Sequence, residues 1–181
     1  MSLRNLTRGA LFVALGILLP IAFHAVGLGK VFLPMHIPVL LAGFFCSPSV
    51  GLLAGMITPL LSAVLTGMPP LVPPVAQAMV FELGIYGLLT GFLYGRMRLG
   101  VYPSLLVAMA AGRLVYGFLG YLVLPLFGFK QIPLLAPLTL AVSQSLPGVV
   151  LQLVLIPLVV SLVERSVAVL LVGKRAVPSR P

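Results

Sequence analysis

The chain has 181 residues, of which 61% are hydrophobic, and a mean hydropathy of +1.25. It spends only two acidic residues against eleven Lys and Arg, for a formal charge of +9. That balance excludes an ordinary soluble domain, and the length suits one compact unit, so a single transmembrane domain over 1–181 is the expectation.

Crossing ~30 Å of hydrocarbon takes about 20 apolar residues in a helix. Stretches at 9–28, 31–46, 49–67, 75–95, 101–125 and 137–163 approach that length and precede a basic tail over 164–181, which predicts an all-α integral membrane protein with six transmembrane helices. Arg4 and Arg8 stand before the first stretch as the n-region of a signal peptide would. The apolar run, however, passes Pro20 and reaches His24 without a small-residue cleavage site, so it is kept as a span. The second stretch is short and contains Pro34 and Pro38; it is expected to cross as a broken or tilted helix whose freed backbone groups meet protein neighbours. In the third and fourth, Gly51 and Gly55, and then Gly87, Gly91 and Gly95, repeat every four residues, a spacing that permits close helix approach. Between them, Gly67-Met68-Pro69-Pro70-Leu71-Val72-Pro73-Pro74 cannot be regular helix and reads either as an apolar lid over the bundle or as a rigid connector.

Charge placement sets orientation. Arg4 and Arg8, Arg96 and Arg98, and Arg165, Lys174, Arg175 and Arg180 fall on one side, against Lys30 and Lys130 on the other, so the positive-inside rule predicts a multi-pass cell-membrane protein with both termini cytoplasmic. The excess charge is thereby accounted for by topology and anionic lipid, and nothing in the pattern points to nucleic acid. Cys46 is alone, so no internal disulfide or cysteine metal cluster is possible. His24 and His36 have no nearby acid in sequence, and no metal or cofactor is expected. Gly173-Lys174-Arg175 lacks both the upstream glycine and the following Ser or Thr of a Walker A loop, so the chain does not hydrolyse ATP by that route.

Two ionisable residues, Glu82 and Arg113, lie inside stretches that are otherwise apolar. A charge at membrane depth costs at least a few kcal/mol, and such groups mark cavities, partner charges or solute paths. At 1.5 Å rise per residue, Glu82 and Gln144 fall about 10 Å below the outer ends of their spans, with Arg113 deeper, near the midplane, and His24 and His36 nearer the edge. Tyr86 shares a face with Glu82, Tyr116 lies three residues beyond Arg113, and Gln144, Gly148 and Gln152 recur every four. Two readings fit: a polar-floored cavity open to the exterior, with Arg113 tilting its solute toward an anion, or a Glu82–Arg113 ion pair that only fixes helix packing.

The stretches Phe32-Leu33-Pro34-Met35-His36-Ile37-Pro38-Val39-Leu40-Leu41-Ala42-Gly43, Thr66-Gly67-Met68-Pro69-Pro70 and Glu82-Leu83-Gly84-Ile85-Tyr86-Gly87, with the six-span layout, resemble the membrane-embedded substrate-binding S components of energy-coupling factor (ECF) transporters. The resemblance covers nearly the whole chain. It implies an S-component-like bundle that is not an enzyme but captures a vitamin or related small solute outside the cell. A transmembrane coupling subunit and two cytoplasmic ATPases would supply the energy, and the S component would topple in the bilayer. It implies a solute beneath the connections at 27–30, 66–74 and 127–137, and so, with the polar inventory, His36, Met68, Glu82, Tyr86, Arg113, Tyr116 and Gln144 as substrate-binding candidates. Ala10 and Ala14 resemble the family's helix-one contact with the coupling subunit; read alone, the pair could equally pack within the bundle.

Two other classes compete. A stand-alone carrier or channel would ordinarily show an internal repeat or matched broken helices, and none is evident. An intramembrane enzyme would have to work through Glu82, His24, His36, Ser143 or Ser145, around which there is no nucleophile motif.

Overall fold

The computed structural model describes residues 2–72, 75–131, 133–143 and 145–175, and among these all regular structure is helical. Helix α1 is Leu3–Ala25, opened by Ser2, whose hydroxyl accepts the Asn5 N–H at 3.4 Å. After a turn at Gly27, a single helical turn α2, Gly29–Phe32, leads through left-handed Leu33 into α3, His36–Phe45. Pro48 starts α4, Pro48–Thr66, where its missing N–H costs nothing, and Gly67 ends it at φ 73°, a conformation glycine adopts without strain. Helix α5, Val75–Thr90, runs on as a π-helical segment, Gly91–Arg96. Helix α6, Val101–Phe118, likewise continues through a π-helical segment, Leu119–Val123, into α7, Leu124–Leu126. Helices α8, Ala136–Ser143, and α9, Leu146–Arg175, complete the bundle.

Five helical stretches are long and apolar enough to cross a bilayer: Leu3–Ala25, Pro48–Thr66, Val75–Arg96, Val101–Leu126 and Leu146–Val167. The sixth, α3, is too short to cross alone, and nine of its ten residues are buried. Irregular backbone at membrane depth is tolerated where protein covers it, and the α2–α3 break has that cover: a Cβ added to Gly148 of α9 would lie 2.7 Å from the Phe32 carbonyl. The chain is thus an all-α, multi-pass bundle around one short buried helix. The stretch expected as a single last span is divided in two, with Pro147 in the first turn of α9, and α9 runs on to Arg175, well into the segment read as a basic tail.

Lipid tails are as apolar as leucine, so these helices associate through close packing more than through any gain from leaving water. The glycines set how close they come. A Cβ on Gly51 would strike the Gly87 carbonyl, one on Gly87 the Gly51 carbonyl, and one on Gly55 the Leu83 carbonyl, so α4 and α5 meet backbone to backbone. Gly95 continues the four-residue spacing in sequence but faces open space. Gly9 and Gly16 of α1 lie against Val50 and Thr58 of α4. Both acids that lie in the bundle tie helices together: Glu82 does so at its centre, and Glu164 of α9 accepts a hydrogen bond from Tyr94 in the π-helical segment after α5.

A buried carboxylate cluster beneath an apolar cavity

Three helices converge on one oxygen of Glu82. Arg113 Nη1 on α6 lies 3.1 Å from Glu82 Oε1, and the Tyr86 hydroxyl, one turn along α5, donates to the same atom at 2.9 Å. His36, the first residue of α3, places Nε2 3.9 Å away, too far for a hydrogen bond, while its ring leans on Tyr86 with centroids 5.4 Å apart. The Glu82 side chain is 1% exposed and that of Arg113 15%. Gly112 makes the arrangement possible, because any Cβ there would collide with the Tyr86 ring. The depth difference read from the sequence does not separate Arg113 from Glu82.

Beside this cluster lies a partly open cavity of about 360 Å³, bounded by Pro20 and His24 of α1, the 29–36 segment, residues 67–70, and Val75 and Met79 of α5. These are the α1 and α4 C-terminal ends and the α5 N-terminal end, so alternation of the helices puts the cavity at the pole opposite Arg96 and Arg98. The 67–70 wall is pinned. The Met68 carbonyl accepts from Ser62 Oγ at 2.7 Å and Thr66 Oγ1 at 3.3 Å, and Gln77 Nε2 donates to the Leu71 carbonyl at 2.8 Å. The Met68–Pro69 peptide is cis. His24 is held by a 2.7 Å hydrogen bond to the Pro20 carbonyl and packs over Gly29, where a Cβ would occupy the space of its ring. Neither nitrogen of His36 has a hydrogen-bond partner among the described residues, although the residue is buried.

A family model described as ECF transporter, substrate-specific component, matches residues 4–172. The chain belongs to that family. Comparison with curated proteins and with solved structures finds no match.

Six of the seven substrate-binding candidates read from the sequence are among the described residues, and of these six His36 and Met68 line the cavity of this family member. Glu82, Tyr86 and Arg113 form the cluster behind His36, and partly buried Tyr116 follows Arg113 on α6. Gln144 lies outside the described residues. The cavity therefore has the Glu82–Arg113 pair behind one wall instead of as its floor, because the two charges face each other and, among the described residues, His36 is the one that reaches both places. His24 belonged to the polar inventory placed near the outer edge, and Gly29 to the 27–30 connection that the resemblance put over the solute, but sequence reasoning did not select Pro20, Met35 or Met79. The helix-breaking Pro34 and Gly27, which fold the α1–α3 connection back over the bundle, were the available signal for the first two, and the i, i+4 step from Val75 to Met79 for the last. Ala10 and Ala14 are exposed, and Ala10 borders a groove of about 290 Å³ between α1 and α4 with Leu6, Val13, Leu53 and Ile57.

Proposed function

We propose that this S component captures a vitamin or related small solute at the outer face of the cell membrane, in the cavity between the α1 C-terminus, the 29–36 segment, residues 67–70, and Val75 and Met79 of α5. The observation that carries the reading is the cavity: it is partly open, is walled by four separate segments, and contains two imidazoles in a mostly apolar lining. Both termini lie in the cytoplasm on this reading, as the Arg96 and Arg98 connection and the basic C-terminal residues favour. Uptake is driven by two cytoplasmic ATPases acting through a transmembrane coupling subunit, and the chain's own lack of a phosphate-binding loop agrees with that division. The Glu82–Arg113–Tyr86 cluster holds α3, α5 and α6 in register behind the solute, with His36 as the only member that touches it.

Filling the cavity tests the capture site. Met79→Trp is expected to weaken solute binding at least 10-fold in a lipid-nanodisc titration while the unfolding temperature stays near that of the parent. Unaltered binding would remove this cavity from the account.

The coupling subunit docks on the α1 stripe of Ala10 and Ala14, which the bundle leaves exposed because Gly9 and Gly16 make the contacts to α4. Ala14→Leu is expected to keep solute binding and lose co-purification with the energising subunits. An intact complex at parental yield would refute that docking surface.

A further inference from the structure

We propose that His24 is the residue by which this cavity selects and orients its solute, with Nε2 as the atom that pairs with a polar group of the solute and Gly29 as the residue that positions the ring; the proposal deepens the capture reading and rests on it. Among the described residues of the lining, His24 and His36 carry the side chains that form strong hydrogen bonds, and the rest are Pro, Gly, Leu, Val and Met. Both ring nitrogens of His36 are sealed in protein and have no surface open to the cavity, so the pairing falls to His24.

The His24 ring is held from two sides. A carbonyl oxygen only accepts, so the 2.7 Å contact with the Pro20 carbonyl puts a proton on Nδ1, and it does so whether the ring is neutral or charged. Nε2 is then the free end of the ring, a lone pair in the neutral form and a second N–H in the charged form. It has no partner among the described residues, and the half-buried ring does not seal it in protein as His36 is sealed.

Gly29 supplies the second side. It stands in the helical turn α2 without a positive φ, so its backbone does not call for glycine; a Cβ there would fall on the His24 ring. A ring fixed in this way loses little freedom when a solute engages it, and a fixed polar atom in a mostly apolar lining rejects a solute that brings no matching group to that point.

The test titrates a vitamin panel into the protein in nanodiscs and carries every compound that binds the parent on to three variants. His24→Phe is expected to weaken binding at least about 5-fold, and Gly29→Ala, which keeps the imidazole but displaces it, at least about 3-fold, both with unfolding temperatures near the parent's. The readout peculiar to an imidazole is pH. His24→Gln keeps a hydrogen-bonding amide that does not titrate, so the ratio of parent to His24→Gln affinity is expected to change at least about 3-fold between about pH 6 and about pH 8. His36, with Glu82 and Arg113 behind it, is the other titratable group of the described lining, and Lys30, whose side chain lies outside the described residues, follows Gly29; these groups and the compound itself are common to both proteins and cancel from the ratio. A ratio that falls toward acid identifies a solute N–H or O–H at Nε2, and one that rises identifies a solute acceptor or anion there; either supports the proposal. A constant ratio, or a His24→Phe protein that binds as the parent does, overturns it and leaves capture standing. If nothing in the panel binds the parent, the capture reading falls together with it.

Discussion

Glu82→Ala is expected to destabilise the bundle by about 3–5 kcal/mol, the cost of leaving a buried partner charge alone. In the parent, Arg113 has one carboxylate within reach, at 3.1 Å, and the Tyr86 hydroxyl spends its hydrogen on the same oxygen. Removing that carboxylate strands a guanidinium at the meeting point of α5 and α6 and leaves a buried phenol without its acceptor. Arg113→Ala is the milder change, since Tyr86 still donates to Glu82 and the α6 helix keeps Gly112 against the Tyr86 ring. Solute binding should weaken in both variants, through His36, whose ring rests on Tyr86. The discriminating variant is the double one, Glu82→Met with Arg113→Met, which removes both charges and restores apolar volume. It is expected to unfold at a higher temperature than Glu82→Ala, as measured in detergent by the loss of monodisperse protein on heating. If the double variant is destabilised by the sum of Glu82→Met and Arg113→Met made singly, the charges do not act as a pair.

The second large effect is at the α4–α5 contact. Gly87→Leu places a branched side chain where the Gly51 carbonyl now sits, and neither backbone can yield without separating the two helices. Overpacking of this kind costs about 1–3 kcal/mol in cores that can relax, and here the obstacle is main chain, so a value of about 3 kcal/mol is expected. Gly95→Leu, at the same spacing on the same strand of sequence, projects into open space and should change stability by about 0.5 kcal/mol or less. Thermal unfolding of the two variants side by side checks the contrast; equal losses would mean that the glycine spacing, and not the measured approach, governs packing.

These two sites also show what was legible in the sequence. Hydropathy and length placed the long spans, because a bilayer demands a run of apolar residues whatever its neighbours do. The broken second span was readable from Pro34 and Pro38, but not the reason it survives, which is that nearly every residue of α3 is covered by other helices. The four-residue glycine repeats announced close packing, yet periodicity could not tell that Gly51 and Gly87 touch while Gly95 does not, since that depends on where each helix axis runs. Spacing put Glu82 and Tyr86 on one face, and their hydrogen bond follows from it. It left open whether Arg113 meets solute or Glu82, a choice made by a tertiary contact between α5 and α6. The division between α8 and α9 had a local signal in Pro147, a residue suited to the first turn of a helix, but the apolar composition running through it masked the break.

The measurement that bears most directly on solute capture is native mass spectrometry of the protein released from nanodiscs after gentle purification, with identification of any small molecule freed on denaturation. The account predicts one vitamin-like compound per chain in the parent protein and none in Met79→Trp. A folded parent protein that retains no compound and takes up none from a vitamin panel, or a compound retained equally by Met79→Trp, would contradict it.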